Sequence, residues 1–239
     1  MKVGVLGGTG NVGKVVVAEA LKRGYEVVVL ARDPAKVTDT HEHLEVVKGD
    51  AKVAEDVQRL VDATDQVVCV VGGTPTSGWV VKPAVENLLK ANPKRVMVLT
   101  SLGVNGSSST VKFLLHDVIN RCIHGSQDLE EKSLFRDAEQ ADTLVQKATC
   151  EWVLVRPTYM EDIPGTGQYL ATAAPNVGCC WMFQPVSKAD AALFFVDRLE
   201  DKRWDGTPVH LHKGHSDFFD GPGVKAAASS GGNYVAMKE

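Results

Sequence analysis

The sequence contains no excess of basic residues and no long hydrophobic run. Of its 239 residues, 26 are Lys or Arg and 30 are Asp or Glu, and the two signs are interspersed along the chain. This balance leaves no basic surface for nucleic acid or for an anionic membrane. No segment approaches the roughly 18 consecutive apolar residues of a membrane span. A strand-like segment follows Met1 directly, so we expect no secretory signal.

Cysteines are few, and their arrangement argues against a disulfide framework. The five cysteines are odd in number and show no CxxC spacing. Free thiols in a reducing compartment fit this pattern better, so we expect a cytoplasmic protein. We interpret the adjacent Cys179 and Cys180 as small buried residues. The hydrophobic fraction of 44% is enough for a full core, which excludes global disorder, and the length allows one large domain or two small ones.

The first half of the chain alternates between short Val-rich runs and segments of helical period. The runs are apolar nearly throughout, which is typical of strands buried on both faces of a parallel sheet. This alternation predicts an α/β fold, namely a single Rossmann-type doubly wound parallel sheet with helices on both faces and a small C-terminal substrate-side region. Strands are predicted at 2–7, 26–31, 44–48, 66–72 and 95–101, and helices at 11–23, 52–63 and 79–91.

The second half of the chain has a different rhythm. Composition predicts a loop at 103–109, and the apolar stripe over 111–123 is typical of one face of a helix. Ser187 and Asp190 have the spacing of a capping box at the start of a helix. Further helices are predicted at 127–148 and 187–199, and further strands at 152–156 and 208–211.

A glycine-rich turn joins the first predicted strand to the first predicted helix. Such a turn lets the backbone approach a pyrophosphate, while the helix directs its free N–H groups and positive dipole end at the anion. Between a strand and a helix, this pattern predicts a dinucleotide-binding site, with a glycine-rich structural turn as the alternative. The residues of the turn are Gly7, Gly8, Thr9, Gly10, Asn11, Val12 and Gly13.

The end of the second strand indicates which dinucleotide is bound. An Asp or Glu at this place holds the ribose 2′-hydroxyl of NAD, whereas an Arg accommodates the 2′-phosphate of NADP. The sequence has Arg32 here, and a guanidinium matches a phosphate with two hydrogen bonds. Asp33 follows directly and is the residue that could serve NAD. The sequence therefore favours NADP(H) over NAD(H).

Two further strand ends are predicted to border the cofactor, because ligands of open α/β sheets lie beyond the carboxyl ends of the strands. Asp50 and Ala51 follow the third strand, and the Asp50 carboxylate could accept a hydrogen bond from the adenine amine. The alternative for Asp50 is an N-cap of the next helix. Gly72 and Gly73 end the fourth strand and allow a close approach of the backbone.

The motifs at these strand ends resemble those of atypical short-chain dehydrogenases/reductases, and most closely the NmrA-like group that contains biliverdin-IXβ/flavin reductases. The segments that carry the resemblance are GGTGNVG, LARDP, GDA, VVGGT and LTS. Later segments also fit: 134–156 resembles a helix and strand of that group, 163–169 its substrate-side loop, and 185–192 the opening of its last helix. The resemblance covers residues 1–212.

The resemblance implies an NADPH-dependent oxidoreductase that transfers a hydride to a small or planar acceptor, such as a flavin, a quinone or a linear tetrapyrrole. Thr100 and Ser101 match the group's Thr-Ser pair beside the nicotinamide. Pro157, Thr158 and Tyr159 match the turn that contacts the other side of the nicotinamide. The expected partner is a small-molecule acceptor.

A second function also follows from the resemblance, because some NmrA-like proteins are non-catalytic NADP(H)-binding regulators or sensors that bind a partner protein. Fold alone does not decide between an enzyme and such a regulator. The sequence departs from the group in a longer segment at 103–125 and in an extended tail. Those regions would surround the acceptor, so the identity of the acceptor is the property that the resemblance indicates least well.

Few side chains qualify as catalytic. Classical short-chain dehydrogenases use a Tyr-x-x-x-Lys helix, and the one literal match, Tyr234 to Lys238, lies in the last residues and is interpreted as chance. Ser101 is a candidate to hydrogen-bond the acceptor or the nicotinamide amide, or else to satisfy backbone groups at a strand end. Tyr159 and Tyr169 are candidates either to stack on a planar acceptor or to fill the core.

No metal site is predicted. His210, His212 and His215 have a superficially suggestive spacing, but no Cys or acidic residue completes a zinc pattern. Because strands from both halves are needed around one cofactor, 1–212 is predicted as one NAD(P)-binding Rossmann domain that includes the substrate-side loops. Gly, Ser and Ala dominate 213–239, which we predict to be a mobile C-terminal tail.

Overall fold

The computed structural model describes residues 1–73, 78–102, 104–105, 134–173, 185–213, 225–228 and 234–237. Its strands are β1 (Lys2–Leu6), β2 (Glu26–Ala31), β3 (Leu44–Lys48), β4 (Gln66–Cys69), β5 (Arg95–Leu99), β6 (Glu151–Pro157), β7 (Met160–Glu161), β8 (Leu170–Ala173), β9 (Val186–Ser187), β10 (Thr207–His212), β11 (Lys225–Ala228) and β12 (Tyr234–Met237). Its helices are α1 (Asn11–Lys22), α2 (Ala54–Asp62), α3 (Val81–Lys90), α4 (Leu134–Gln146) and α5 (Lys188–Asp197), with a 3-10 turn at Pro34–Lys36.

Ten of the described strands form one sheet in the order β11-β12-β8-β10-β6-β5-β4-β1-β2-β3. Strands β1 to β6 and β10 pair in parallel. Strand β8 runs antiparallel to β10, and β7 pairs with β9 outside the large sheet. The predicted doubly wound sheet is confirmed. The strand order reverses between β1 and β4, and such a reversal places a ligand crevice at the carboxyl ends of the strands.

Helices cover both faces of the sheet. Helices α1 and α5 pack together on one face, and α2, α3 and α4 lie on the other. The residues of β2 alternate between the two cores: Val27 and Val29 join the α1/α5 side, and Val28 and Leu30 join the α2/α3/α4 side. A strand that is buried on both faces needs apolar residues at every position, which explains the continuous Val-rich runs.

The predicted elements agree with the structure over most of the described residues, and the ends differ. Strand β4 ends at Cys69 and β5 ends at Leu99, so the chain leaves the sheet before the glycines of 72–73 and before Ser101. The predicted cap at Ser187 is confirmed, because its Oγ accepts a hydrogen bond from Asp190 N at 2.8 Å. The predicted helix at 111–123, the first residues of the one at 127–148, and Cys179 and Cys180 lie outside the described residues.

The C-terminal region adds two strands that the sequence analysis did not predict. Strand β12 pairs in parallel with β8, and β11 pairs antiparallel with β12 at the edge of the sheet. Both segments are only four residues long and β11 is mostly Ala, so neither contains the Val-rich run that identified the central strands. The division at 212/213 stays a prediction. Within the described ranges, no helix combines the length and the apolar character needed to cross a bilayer.

Candidate functional site

A groove of about 230 Å³ lies where the strand order reverses. The carboxyl ends of β1, β2, β3 and β4 surround it, which is the place where open α/β sheets bind ligands. The groove thus brings together most of the residues predicted to hold the adenosine and phosphates of a dinucleotide. It is lined by Gly7, Thr9, Gly10, Leu30, Ala31, Arg32, Gly49, Asp50, Ala51, Val70, Val71, Gly72 and Val80.

The glycine-rich turn has the geometry of a phosphate-binding loop. Gly7 has a φ of 90°, and a Cβ on it would lie 2.7 Å from Val70 O. A Cβ on Gly13 would lie 2.1 Å from Gly7 O, so only glycine lets α1 pack this closely against the turn. Gly10 is the N-cap of α1 and offers no side-chain cap. The first N–H groups of α1 therefore have no capping side chain and can meet an anion.

One glycine in the groove is not explained by packing against the described residues. A Cβ on Gly72 would meet no described atom within 4 Å, whereas a Cβ on Gly10 would make a tight contact of 3.3 Å with Gly7 O. By contrast, a Cβ on Gly73 would lie 2.6 Å from Gly78 O, so Gly73 is needed by the chain itself. The open space beside Gly72 leaves its backbone accessible to a ligand, and the groove therefore fits a dinucleotide.

Arg32 and Asp33 are neighbours with different environments. The exposed Arg32 makes no hydrogen bond or ion pair with any other residue that the structure describes. The Asp33 carboxylate accepts a hydrogen bond from Ala35 N at 3.2 Å and caps the turn at Pro34–Lys36. The cation is therefore available to a ligand, while the competing carboxylate already serves the backbone.

Asp50 is fixed by two local hydrogen bonds. Its Oδ1 accepts from Lys52 N at 2.9 Å, and its own N–H donates to Asp56 Oδ2 at 2.8 Å. That backbone hydrogen bond is the main cause that lowers the pKa of Asp56. Helix α2 begins after Val53, which is its N-cap, so the alternative interpretation of Asp50 as the N-cap is wrong. The end of β3 is thus held rigidly at the groove.

The residues after β5 turn their side chains in different directions. Thr100 is buried, and its Oγ1 donates to Asp142 Oδ2 in α4 at 3.2 Å. Ser101 is half-buried, and its Oγ donates to Leu102 O at 3.0 Å. That bond matches the alternative in which Ser101 satisfies a backbone group at a strand end. The Thr100 hydroxyl is therefore held by α4.

The turn after β6 is tied to both of its neighbouring strands. Leu102 N donates to Pro157 O at 3.0 Å, and Thr158 N donates to Leu211 O at 2.8 Å. Tyr159 is 70% exposed. Tyr169 is fully buried, and its hydroxyl donates to Asp197 Oδ2 at 2.5 Å. Burial raises the pKa of Tyr169. Tyr169 is thus a core aromatic, and Tyr159 is free to contact a ligand.

Asn11 and Val12 begin α1 and differ in what they can offer a cofactor. Val12 is buried in the core, so only its backbone faces the glycine turn. The Asn11 amide donates to Asp162 Oδ2 at 3.2 Å, and Lys188 Nζ lies 3.2 Å from the same oxygen. Asp190 accepts hydrogen bonds from the backbone of the 163–169 loop. The loop predicted to lie on the substrate side is therefore held next to the N-terminus of α1.

A buried ion pair behind the site was missed by the sequence analysis. Arg156 Nε and Nη2 donate to the Asp142 carboxylate at 2.8 and 2.7 Å, and both side chains are at most 1% exposed. Gln146 Nε2 donates to the same carboxylate at 2.6 Å. The sequence did contain a signal for this pair. Arg156 stands in an otherwise apolar strand and Asp142 stands on the apolar face of a helix, and two buried charges of opposite sign require each other as partners.

No metal centre is found among the described residues. They contain no group of three or more His, Cys, Asp or Glu side chains that could hold an ion. His210 and His212 lie buried on β10, and His215 falls outside the described ranges.

This fold is shared by many solved structures, including the following three. A candidate NADH-flavin reductase from Streptococcus pneumoniae is 23% identical, covering 90% of this chain and 100% of that one with a TM-score of 0.68. A candidate epimerase from Bacteroides thetaiotaomicron is 21% identical, with coverages of 90% and 97% and a TM-score of 0.71. The anaerobilin reductase of Escherichia coli O157:H7 is 20% identical, with coverages of 89% and 97% and a TM-score of 0.67.

At these identities the likeness to solved structures establishes the fold. The family model described as NAD(P)H-binding matches residues 7–202, which is most of the chain. The match includes the glycine turn and every strand end around the groove. It agrees with the predicted resemblance to atypical short-chain dehydrogenases/reductases and with a nicotinamide dinucleotide as the cofactor. The chain therefore belongs to the NAD(P)H-binding family.

Proposed function

We propose that the protein is an NADPH-dependent reductase that transfers a hydride to a small or planar acceptor of the flavin, quinone or tetrapyrrole type. The proposal is carried by Arg32, which pairs with no residue that the structure describes and lies in a dinucleotide groove where Asp33 is already used as a cap. A free guanidinium at this place fits the 2′-phosphate that distinguishes NADP from NAD.

Different residues of the chain would bind different parts of the cofactor. The N-terminus of α1 with Gly10 would bind the pyrophosphate, Arg32 the 2′-phosphate, and Asp50 the adenine amine. The backbones after β5 and β6, at Thr100 and Pro157, would flank the nicotinamide. A bound dihydronicotinamide supplies the hydride, and the protein contributes position and shielding from water.

The acceptor would lie against Tyr159. An exposed aromatic ring at the carboxyl edge of the sheet offers a flat face for a conjugated acceptor. Ser101 would rotate its hydroxyl from Leu102 O towards the acceptor or the nicotinamide amide. The names of two structures with the same fold, an NADH-flavin reductase candidate and an anaerobilin reductase, support this acceptor class.

The decisive experiment follows NADPH absorbance with a panel of flavins, quinones and linear tetrapyrroles, together with equilibrium binding of NADPH. We expect NADPH oxidation with at least one planar acceptor. Tight NADPH binding without oxidation of any acceptor would overturn the proposal, and it would favour an NADP(H)-binding regulator that recognises a partner protein.

We expect Tyr159→Ala to raise the KM for a planar acceptor by about fivefold, because an aromatic stacking contact contributes on the order of 1 kcal/mol. NADPH affinity should change much less, since Tyr159 is not among the residues that line the groove for the adenosine and phosphates. Tyr159→Phe is the matched control and should keep the KM, because it retains the ring. Equal KM values for all three proteins would show that Tyr159 does not contact the acceptor.

A further inference from the structure

Helices α1 and α5 pack side by side, and a contact fixes each end of the pair. Behind α1, Arg23 pairs with Asp197, the last residue of α5, at 2.8 Å. The first residues of the two helices, Asn11 and Lys188, both contact the carboxylate of Asp162. The helices therefore run in the same direction, and the positive ends of both helix dipoles converge on this carboxylate.

Asp162 forms a bridge between the two helix starts. Its Oδ2 accepts a hydrogen bond from Asn11 Nδ2 and one from Lys188 Nζ, each at 3.2 Å. We refer to these three residues as the Asp162 bridge. Among the described residues, Lys188 has no other partner for its ammonium. The Asp162 side chain is 75% exposed, so solvent screens the ion pair and the pair contributes little to stability.

The stability of α5 does not explain the place of Lys188. A Lys in the first turn faces the positive end of the helix dipole, which disfavours it there. Ser187 already caps the helix, because its Oγ accepts from Asp190 N at 2.8 Å, and the Asp190 carboxylate supplies the favourable charge of the first turn. The position of the Lys188 ammonium therefore indicates a negative group from outside α5.

The diphosphate of a dinucleotide suits this place better than the Asp162 carboxylate. Asn11 directly follows Gly10, which lines the groove and is the N-cap of α1. A pyrophosphate at the N-terminus of α1 would therefore lie beside the Asn11 amide that now contacts Asp162. Because a diphosphate carries more charge and more acceptor oxygens than one carboxylate, it competes well for Lys188, whose present partner is exposed.

The order of the sheet indicates which half of the dinucleotide is near Lys188. Arg32 and Asp50, which would bind the adenosine half, follow β2 and β3 on one side of β1. Strands β4, β5 and β6 lie on the other side of β1, and the chain passes from β6 through Tyr159 into β7. Strand β7 pairs with β9, which leads directly into Lys188. Lys188 therefore lies on the side of the nicotinamide half.

We infer that Lys188 and Asn11 bind the phosphate on the nicotinamide side of the dinucleotide, and that the Asp162 carboxylate occupies this place until the cofactor binds. In the bound state the ammonium of Lys188 and the amide of Asn11 donate to a phosphate oxygen instead of Asp162 Oδ2. This inference rests on the proposed function, since it takes the pyrophosphate to lie at the N-terminus of α1.

The test compares the equilibrium binding of NADPH with that of 2′,5′-ADP, which keeps the adenosine and its two phosphates but lacks the phosphate on the nicotinamide side. We expect Lys188→Ala to weaken NADPH binding about tenfold, the effect of one charge-assisted contact. The affinity for 2′,5′-ADP should stay nearly unchanged. Isothermal titration measures both affinities, so no turnover is needed.

Asp162→Ala should have the opposite effect. We expect this substitution to strengthen NADPH binding about threefold, because it frees Lys188 and removes a negative charge beside the diphosphate. A bridge that served folding alone would behave differently. Either substitution would break the same ion pair, so both would change NADPH affinity in the same direction or leave it unchanged.

Two further variants serve as controls. Lys188→Arg keeps the charge and should retain NADPH affinity. Lys22→Ala removes an equal charge from the last turn of α1, where Lys22 also pairs with a carboxylate, that of Glu19 at 3.2 Å, and it should not change NADPH affinity. The Tm of Lys188→Ala should equal that of wild type, because the lost pair is exposed and Ala is a strong helix former.

Unchanged NADPH affinity in Lys188→Ala would overturn the inference, and so would an equal weakening of NADPH and 2′,5′-ADP. Weaker NADPH binding in Asp162→Ala would overturn it as well, since the bridge would then hold the cofactor rather than give way to it. Failure of the proposed function gives a different pattern. If the protein prefers NADH or reduces no acceptor, a loss of NADH affinity in Lys188→Ala, without a loss of 5′-AMP affinity, would still support the role of Lys188.

Discussion

We expect Asp142→Ala to lower the free energy of unfolding by about 3–5 kcal/mol, because it leaves the buried Arg156 guanidinium without its counter-charge. The substitution also removes the acceptor of Thr100 Oγ1 and of Gln146 Nε2. An exposed ion pair would not behave in this way, since solvent screens it. The large effect follows from burial, which is 0% exposure for Asp142 and 1% for Arg156.

Urea denaturation at pH 7 measures this prediction. Asp162→Ala is the matched control, because Asp162 also pairs with a cation, Lys188, but its side chain is 75% exposed. We expect the control to lose less than about 1 kcal/mol. A loss of similar size in both variants would mean that Arg156 finds another acceptor when Asp142 is absent.

This ion pair also shapes the candidate site. Asp142 holds the hydroxyl of Thr100 at the end of β5 and the guanidinium of Arg156 at the end of β6. The two strand ends that would flank the nicotinamide are thereby connected through one carboxylate of α4. Weakening this connection should therefore disturb the acceptor side more than the adenosine side, which lies across β1 to β4.

The parts of the site that the sequence predicted well depend on local rules. Gly7, Gly13 and Arg32 occupy places fixed by their position at a strand end, and a strand end can be identified from the hydrophobic pattern alone. Because parallel strands bring their carboxyl ends to one edge, the gathering of Gly7 and Arg32 in one groove followed from the fold.

The parts that the sequence could not predict depend on tertiary contacts. Tyr159 and Tyr169 are equivalent in sequence terms, and only the packing against α5 shows that Tyr169 is the core residue. Thr100 sits at the expected strand end, but its hydroxyl is held by a helix residue 42 positions later. Pairings at such separations are set by topology and leave no periodic signal in the sequence.

The largest expected effect on ligand binding belongs to Arg32. We expect Arg32→Ala to weaken NADPH binding by about 100-fold, which corresponds to roughly 2.7 kcal/mol for the loss of a charge-assisted contact with the 2′-phosphate. NADH binding should stay nearly constant, because NADH carries a hydroxyl at this position. The NADPH affinity of Arg32→Lys should lie between that of wild type and that of Arg32→Ala, since an ammonium keeps the charge but loses the bidentate geometry.

Isothermal titration with NADPH and NADH, at low and at high salt, measures this preference. Arg23→Ala is the control for a general change of charge, because Arg23 follows α1 at the opposite end of that helix and pairs with Asp197. Equal weakening of NADPH and NADH would show that Arg32 positions the adenosine rather than the phosphate. Unchanged NADPH affinity in Arg32→Ala would remove the basis for assigning NADP(H). Asp33 would then be the residue that selects NAD(H), and its carboxylate would have to release the hydrogen bond from Ala35 N to do so.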